Sequence, residues 1–256
     1  MDATKNTPAI ILNRQPYREY DALVTVYTRD YGRLSLVVRG VKKMQSKLAG
    51  HIEPLTWADF LIIPGKTFDY AGSVVTRAAY AGIRNDLNKL YYAGRALNLF
   101  SRFVKEGHPD ERLFFLLRDW LDVLNDFQEK QNSQTKESST KGLSQGDGEL
   151  FYSFFALKLL AELGYVPEMR TCLVCGRPIV AGRNFFDLKG GGLVCDTCRE
   201  QKKTEEEVLS TDLLMISDNC VKLIRYLLDS QELKIKANPA LIKEAKKIID
   251  CFLNYI

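Results

Sequence analysis

The sequence predicts an α+β, multidomain protein: an N-terminal five-stranded barrel, then a helical C-terminal domain with an inserted four-cysteine module. Three observations predict it. Short runs with apolar residues at period two fill the first 80 positions. From about residue 84 the period lengthens to that of a helix. Two Cys-x-x-Cys pairs then fall between helical stretches. The 256 residues are 46% hydrophobic and 27% charged, which excludes a disordered or fibrous chain. No apolar run reaches the ~18 residues of a membrane span. The opening MDATKNTPAIILNRQPYREY lacks the apolar centre of a secretory signal, so a cytoplasmic location is expected.

The strands come first. Ala9-Ile10-Ile11-Leu12 is an apolar run ended by Asn13 and Pro16. Ala22 to Thr28 is rich in β-branched residues, and Asp30-Tyr31-Gly32 turns the chain. Arg33 to Arg39 then puts Leu34, Leu36 and Val38 on one face, which completes a hairpin. Leu55 to Ile63, the Pro64-Gly65 turn and Phe68 to Thr76 supply two more strands. Five short strands in about 75 residues suit a small closed barrel, and the OB-fold is the five-stranded candidate.

The helices follow. Leu87 to Val104 carries Leu90, Tyr91, Gly94, Leu97, Leu99 and Phe100 at helical spacing. Asp110 is placed to cap Glu111 to Asn125. Residues 128–148 contain one large apolar residue, Leu143, and are expected to form a flexible loop. A helix from Glu149 to Leu163 meets its stop signals at Gly164 and Pro167. Two more helices are expected, Thr211 to Leu228 after Ser210, and Pro239 to Tyr255 with Asn238 as cap. The expected domains are residues 1–80 (barrel), 81–167 (helical, first part), 168–202 (cysteine module) and 203–256 (helical, C-terminal part).

Cys172-x-x-Cys175 and Cys195-x-x-Cys198 carry the strongest chemical signal. Each pair places two thiolates on one side of an ion, and two pairs complete a tetrahedral all-sulfur site for which zinc is the default metal. Phe185-Phe186 and Gly190-Gly191-Gly192 read as the hairpin that returns the chain. Four sulfurs leave no open position for water, so the zinc is structural. Thioredoxin-like chemistry is set aside because neither pair is expected to open a helix after a buried strand. Cys220 and Cys251 fall on apolar helix faces and read as small buried hydrophobes. His51-Ile52-Glu53 matches half of the zinc deaminase signature, but Thr171 stands where that signature needs Pro. No Walker loop, dinucleotide fingerprint or nucleophile elbow is present, and the expectation is a protein that is not an enzyme.

Net charge is +4, all of it in the first third: residues 1–80 hold 11 Lys and Arg against 7 Asp and Glu, whereas 81–256 hold 25 of each. Within that third, 29–47 carries six cations against Asp30 alone. Such a stretch suits a polyanion. On a small barrel the groove for single-stranded nucleic acid pairs cations on phosphates with aromatics under bases. Arg33, Arg39, Lys42, Lys43 and Lys47 are the candidate phosphate ligands, and Tyr17, Tyr20, Tyr27, Tyr31 and Trp57 are the available aromatics. Lys202-Lys203 and Lys246-Lys247 read as solvated surface.

These residues resemble the RecO family of bacterial recombination mediators. Tyr17 to Thr28 looks like the family's second strand. Tyr31-Gly32-Arg33-Leu34, Val38 to Lys43, Ser46 to Gly50 and Glu53-Pro54-Leu55 look like its hairpin and basic loop. Leu163 to Pro167, Cys172 to Gly176 and Phe186…Gly191-Gly192-Leu193…Cys195 are similar to its zinc segment. The resemblance covers most of 8–80 and 150–200. It implies an OB-fold, a helical domain and a zinc module. It also implies binding to single- and double-stranded DNA, annealing of complementary strands, partnership with RecR, and help in placing RecA on DNA coated by single-strand binding protein, all at the nucleoid. Two departures stand out: 128–148 looks like an insertion, and the chain stops at Phe252 to Ile256 without the expected basic tail. The readings to be weighed against it are an RNA-binding module on the same barrel and an interaction scaffold that does not touch DNA.

Overall fold

The computed structural model describes residues 4–128, 142–204, 212–234 and 236–256. The chain divides into two compact units, Met1–Ser144 and Gln145–Ile256.

In the first unit β1 (Lys5–Tyr17), β2 (Asp21–Thr28), β3 (Gly32–Val38), β4 (Trp57–Ile63) and β5 (Asp69–Ala78) close a barrel in the order β1-β2-β3-β5-β4. This is the five-stranded OB-fold barrel that the sequence predicts. All pairings are antiparallel except β3 with β5. Period-two patterning fills the interior: Ala22, Val24 and Val26 of β2 meet Leu36 and Val38 of β3 and Ala58, Phe60 and Ile62 of β4. Tyr27 is fully buried against Phe100, and its hydroxyl bonds the backbone of Asp110. It is therefore a core residue and not a platform for a base.

Among the described residues this unit also holds three α-helices, α1 (Ala81–Arg84), α2 (Leu87–Phe103) and α3 (Glu111–Asp126). Asp86 and Asp110 cap the two long ones from their side chains. Lys89 is buried and donates to the carbonyls of Asn125 and Phe127, satisfying the end of α3 with a cation. The expected loop at 128–148 is corrected over its last residues. Leu143 is buried, its N–H donates to Asp86, and its carbonyl accepts from Asn88. The lone apolar residue of the segment thus finds a site at the start of α2. Residues 129–141 of that expected loop lie outside the described residues.

The second unit holds α4 (Gln145–Glu162), β6 (Asn184–Asp187), β7 (Gly192–Cys195), α5 (Asp196–Thr204), β8 (Leu213–Ile216), α6 (Asp218–Asp229) and α7 (Pro239–Tyr255). Helix α4 begins four residues earlier than its apolar run. It is buried on several sides, with Phe151, Phe155, Leu157 and Leu160 inside. Asn238 caps α7 with Pro239 in its first turn, as the sequence predicts. The helix expected over Thr211 to Leu228 is corrected. Leu213–Ile216 is a strand on the far side of β6, giving the order β7-β6-β8. The helix starts only at Asp218, where Ser217 Oγ accepts from the Cys220 N–H. A run of four apolar residues fits either period, and the pairing partner β6 decides it. Ser210, the expected cap, lies outside the described residues. Among the described residues no helix is long and apolar enough to cross a membrane.

Candidate functional site

Two sets of residues carry chemistry, one in each unit. In the second unit the chain leaves α4 through Gly164, whose φ of 83° is open to glycine. The Glu168 carboxylate then accepts from the backbone N–H groups of Arg170 and Thr171 at 2.6 and 2.9 Å. Those two bonds hold its carboxyl below the usual carboxylate range. They also set the entry to a tight knuckle: the Cys172 N–H donates to Arg177 O, and the Gly176 N–H donates to Cys172 O. The second pair comes from the hairpin of β6 and β7. Asp187 Oδ1 accepts from the N–H groups of Lys189 and Gly190, Gly191 takes a positive φ, and Cys195 ends β7. Cys198 follows within the first turn of α5.

The four Sγ atoms lie within 4.8 Å of one another. Cys175 Sγ and Cys195 Sγ are 4.0 Å apart, about twice the ~2.05 Å of a disulfide bond. Four sulfurs at ~2.3 Å around a tetrahedral ion stand about 3.8 Å apart, so the cluster fits a bound metal. Cys172 and Cys198 are buried, Cys195 is partly so, and Cys175 is exposed. Burial would raise the Cys172 thiol, but the N–H groups of Cys175, Cys195 and Val174 around its sulfur outweigh that and bring it down to about 6. The Cys195 N–H stands 3.4 Å from that sulfur. The Cys198 thiol is pushed up to about 12, first by burial and then by its three sulfur neighbours. Four thiols this close cannot all ionise unless a cation joins them.

One premise of the sequence reading is corrected here. The second pair does open a helix after a buried strand, since β7 leads straight into α5. What separates it from a redox motif is the first pair, which completes a four-sulfur cluster. Cys220 is fully buried with its thiol pushed up to about 12 by burial, then by the Glu244 charge. Cys251 is half-buried.

In the first unit the basic stretch leaves β3 and crosses to β4. Val41 and Ile52 are buried in the barrel core, with Leu48 packed against it. The polar residues between them stay outside, and Arg39, Lys42, Lys43 and Lys47 are all exposed. The Lys42 N–H donates to Tyr20 O, and the Gly40 N–H donates to Asp21 Oδ1. These bonds fix the stretch against the turn between β1 and β2. Lys42 Nζ donates to Arg18 O, and Lys43 Nζ lies 5.6 Å from the Tyr20 ring. The Arg39 guanidinium stacks 4.0 Å above the Tyr70 ring, and Tyr17 meets Phe68 edge-on at 5.9 Å. The β1–β2 turn, the exit of β3 and the β4–β5 turn therefore meet. They form one surface of exposed cations and half-exposed rings.

Arg33 is not brought to this surface. It stands at the start of β3, about 20 Å along the strand from Arg39. Its Nη1 donates to Ser101 O. The sequence reading did not place Arg18, Phe68 or Tyr70 among the candidate phosphate ligands and aromatics. Arg18 is exposed at a φ of 49° in the β1–β2 turn, and the positive φ is invisible in the residue type. Phe68 and Tyr70 lie in the expected fifth strand, and only its parallel pairing with β3 (Leu36 with Asp69, Val37 with Tyr70) brings them alongside the lysines. Trp57 lies between the guanidinium groups of Arg77 and Arg118, and Tyr31 lies under Lys5. His51 Nδ1 bonds Thr76 Oγ1.

Comparison with known proteins agrees with this architecture. The model of the N-terminal region of recombination protein O matches residues 1–77, and that of its C-terminal region matches 84–134 and 141–255. The DNA repair protein RecO of Caldanaerobacter subterraneus subsp. tengcongensis is 28% identical over 95% of this chain and 89% of its own length. That of Pelotomaculum thermopropionicum is 33% identical over 74% of this chain and 66% of its own length. That of Thermoanaerobacter sp. is 26% identical over 96% and 90%. With the two family models matching residues 1–77, 84–134 and 141–255, the chain belongs to the RecO family of DNA repair proteins.

Proposed function

We propose that this protein is a DNA-binding mediator of recombinational repair. It anneals complementary single strands and, with RecR, helps load RecA on DNA coated by single-strand binding protein. The observation that carries the reading is the surface where Arg18, Arg39, Lys42 and Lys43 surround the rings of Tyr17, Tyr20, Phe68 and Tyr70. Cations cover phosphates and release counterions, so two like-charged strands can approach. Half-exposed rings beside them take bases without regard to sequence. Arg33 contacts phosphate separately, with the donors that Ser101 leaves free. The same cations serve single- and double-stranded DNA, and the reading needs no catalytic residue.

In this reading residues 1–80 hold the DNA, 81–167 and 203–256 are the helical domain, and 168–202 is the zinc module. Zinc held by Cys172, Cys175, Cys195 and Cys198 supplies charge to join four thiolates and fixes the hairpin to the knuckle. The protein works among cytoplasmic, nucleoid-associated DNA.

The test is annealing of complementary oligonucleotides, bare and coated with single-strand binding protein, at two salt concentrations. Faster annealing of both, weakened by salt, is expected. A folded, metal-loaded protein that anneals neither would leave an interaction scaffold as the better reading. A preference for RNA over DNA of equal length would favour an RNA-binding module.

A further inference from the structure

The basic stretch has an apolar tip. Met44 is fully exposed, flanked by Lys42 and Lys43 on one side and Lys47 on the other. Two successive turns hold it there: the Lys43 N–H donates to Gly40 O at 3.1 Å, and the Ser46 N–H donates to Lys43 O at 2.9 Å. Met44 is the first central residue of the second turn. The roots of the finger are fixed, because Val41 is buried in the barrel core and Leu48 packs against it. A solitary exposed apolar residue is ordinary on a protein surface. This one differs in its setting. It is raised on an anchored turn among exposed cations, one of which, Lys43, reaches to 5.6 Å from the Tyr20 ring, on the surface proposed to face DNA.

We infer that Met44 is a wedge that inserts between adjacent bases of single-stranded DNA, while Lys42, Lys43 and Lys47 hold the phosphates on either side. The inference rests on the DNA-binding reading above. Methionine is long, unbranched and polarisable, and its sulfur packs well on the faces of aromatic rings. Apolar side chains of this kind part base steps when cations pin the backbone around them. The cost of parting a step is least in a single strand. A strand held unstacked at one step resists folding on itself and presents its bases to a complement.

The experiment uses the full-length protein and a single-stranded oligonucleotide carrying 2-aminopurine between purines, whose fluorescence rises when the base unstacks. The wild-type protein is expected to raise the signal at saturation. Met44→Ala is expected to abolish that rise and weaken affinity by about five- to tenfold, with the salt slope unchanged because every cation remains. Met44→Leu, still an apolar wedge, is expected to keep the rise. The Lys42→Ala, Lys43→Ala double variant is expected to lose affinity and salt slope while still raising the signal at saturation. A full rise with Met44→Ala would overturn the wedge and leave DNA binding standing. Wild-type protein that binds the strand without any rise would do the same. Failure of the folded wild type to bind the strand would overturn the DNA reading and the wedge with it.

Discussion

Lys42 and Arg33 carry the same charge but are held differently. The Arg33 guanidinium spends one donor on the Ser101 carbonyl, whereas Lys43 and Lys47 stand free of ion pairs among the described residues. Lys42 gives one donor to Arg18 O and keeps its charge unpaired. If Arg18, Arg33, Arg39, Lys42, Lys43 and Lys47 each meet one phosphate, the salt slope for single strands is about −4.2. Replacing Lys42 and Lys43 by alanine is expected to shallow that slope by about 1.4 and to weaken binding without sequence preference. Titrations of fluorescent oligonucleotide at several salt concentrations would show it. An unchanged slope would move the contacts elsewhere. At the cysteines, Cys195→Ser removes one of four ligands and leaves three sulfurs. Melting is expected to fall by about 2–4 °C for each ~1 kcal/mol of metal affinity lost. Calorimetry with metal analysis checks this, and an unshifted transition with full zinc would contradict it.

At the scale of elements, the knuckle depends on one carboxylate. Glu168 accepts two backbone N–H groups just before Cys172, and its folded pKa is depressed. Its contribution is therefore complete above the unfolded value of about 4.3 and disappears as pH falls through the lower folded value. Glu168→Gln is expected to melt below the wild type at pH 7, and the gap is expected to close in acid. Melting curves across that range measure it, and a gap constant with pH would show that charge plays no part. Elements differ in how clearly the sequence announces them. Strands β1 to β5 were legible because period-two patterning and turn residues agree, and α7 because Asn238 and Pro239 mark its start. Strand β8 was not, since Leu213–Ile216 becomes a strand only by pairing with β6. The start of α4 was missed because the helix begins in a polar stretch, and the anchoring of Leu143 depends on Asp86, 57 positions away. The four-cysteine cluster was readable from spacing alone. The basic surface was half readable: charge showed the lysines, but Phe68 and Tyr70 join them only through strand register, and Arg18 only through the β1–β2 turn.

The chain divides into two units, one with the exposed basic stretch beside the barrel and one with the four clustered sulfurs. Removing metal with a chelator is expected to lower the melting of the second unit and leave the barrel's affinity for single strands within about twofold, because the proposed DNA ligands and the cysteines belong to different units. Affinity that collapses with metal loss would show that the second unit also holds DNA. The order β1-β2-β3-β5-β4 has a further consequence. Since β5 lies between β3 and β4, the chain cannot turn directly from one into the other. It must bridge the mouth of the barrel, entering beside Tyr20 and arriving beside Ile11. On the way it drops Val41 and Ile52 into the core as stoppers. The lysines are thus passengers on a structural span. An engineer could rewrite their charges one at a time, but excising the segment would uncork the barrel. The length of this bridge is set by folding, and only its outward letters are free to be set by what it touches.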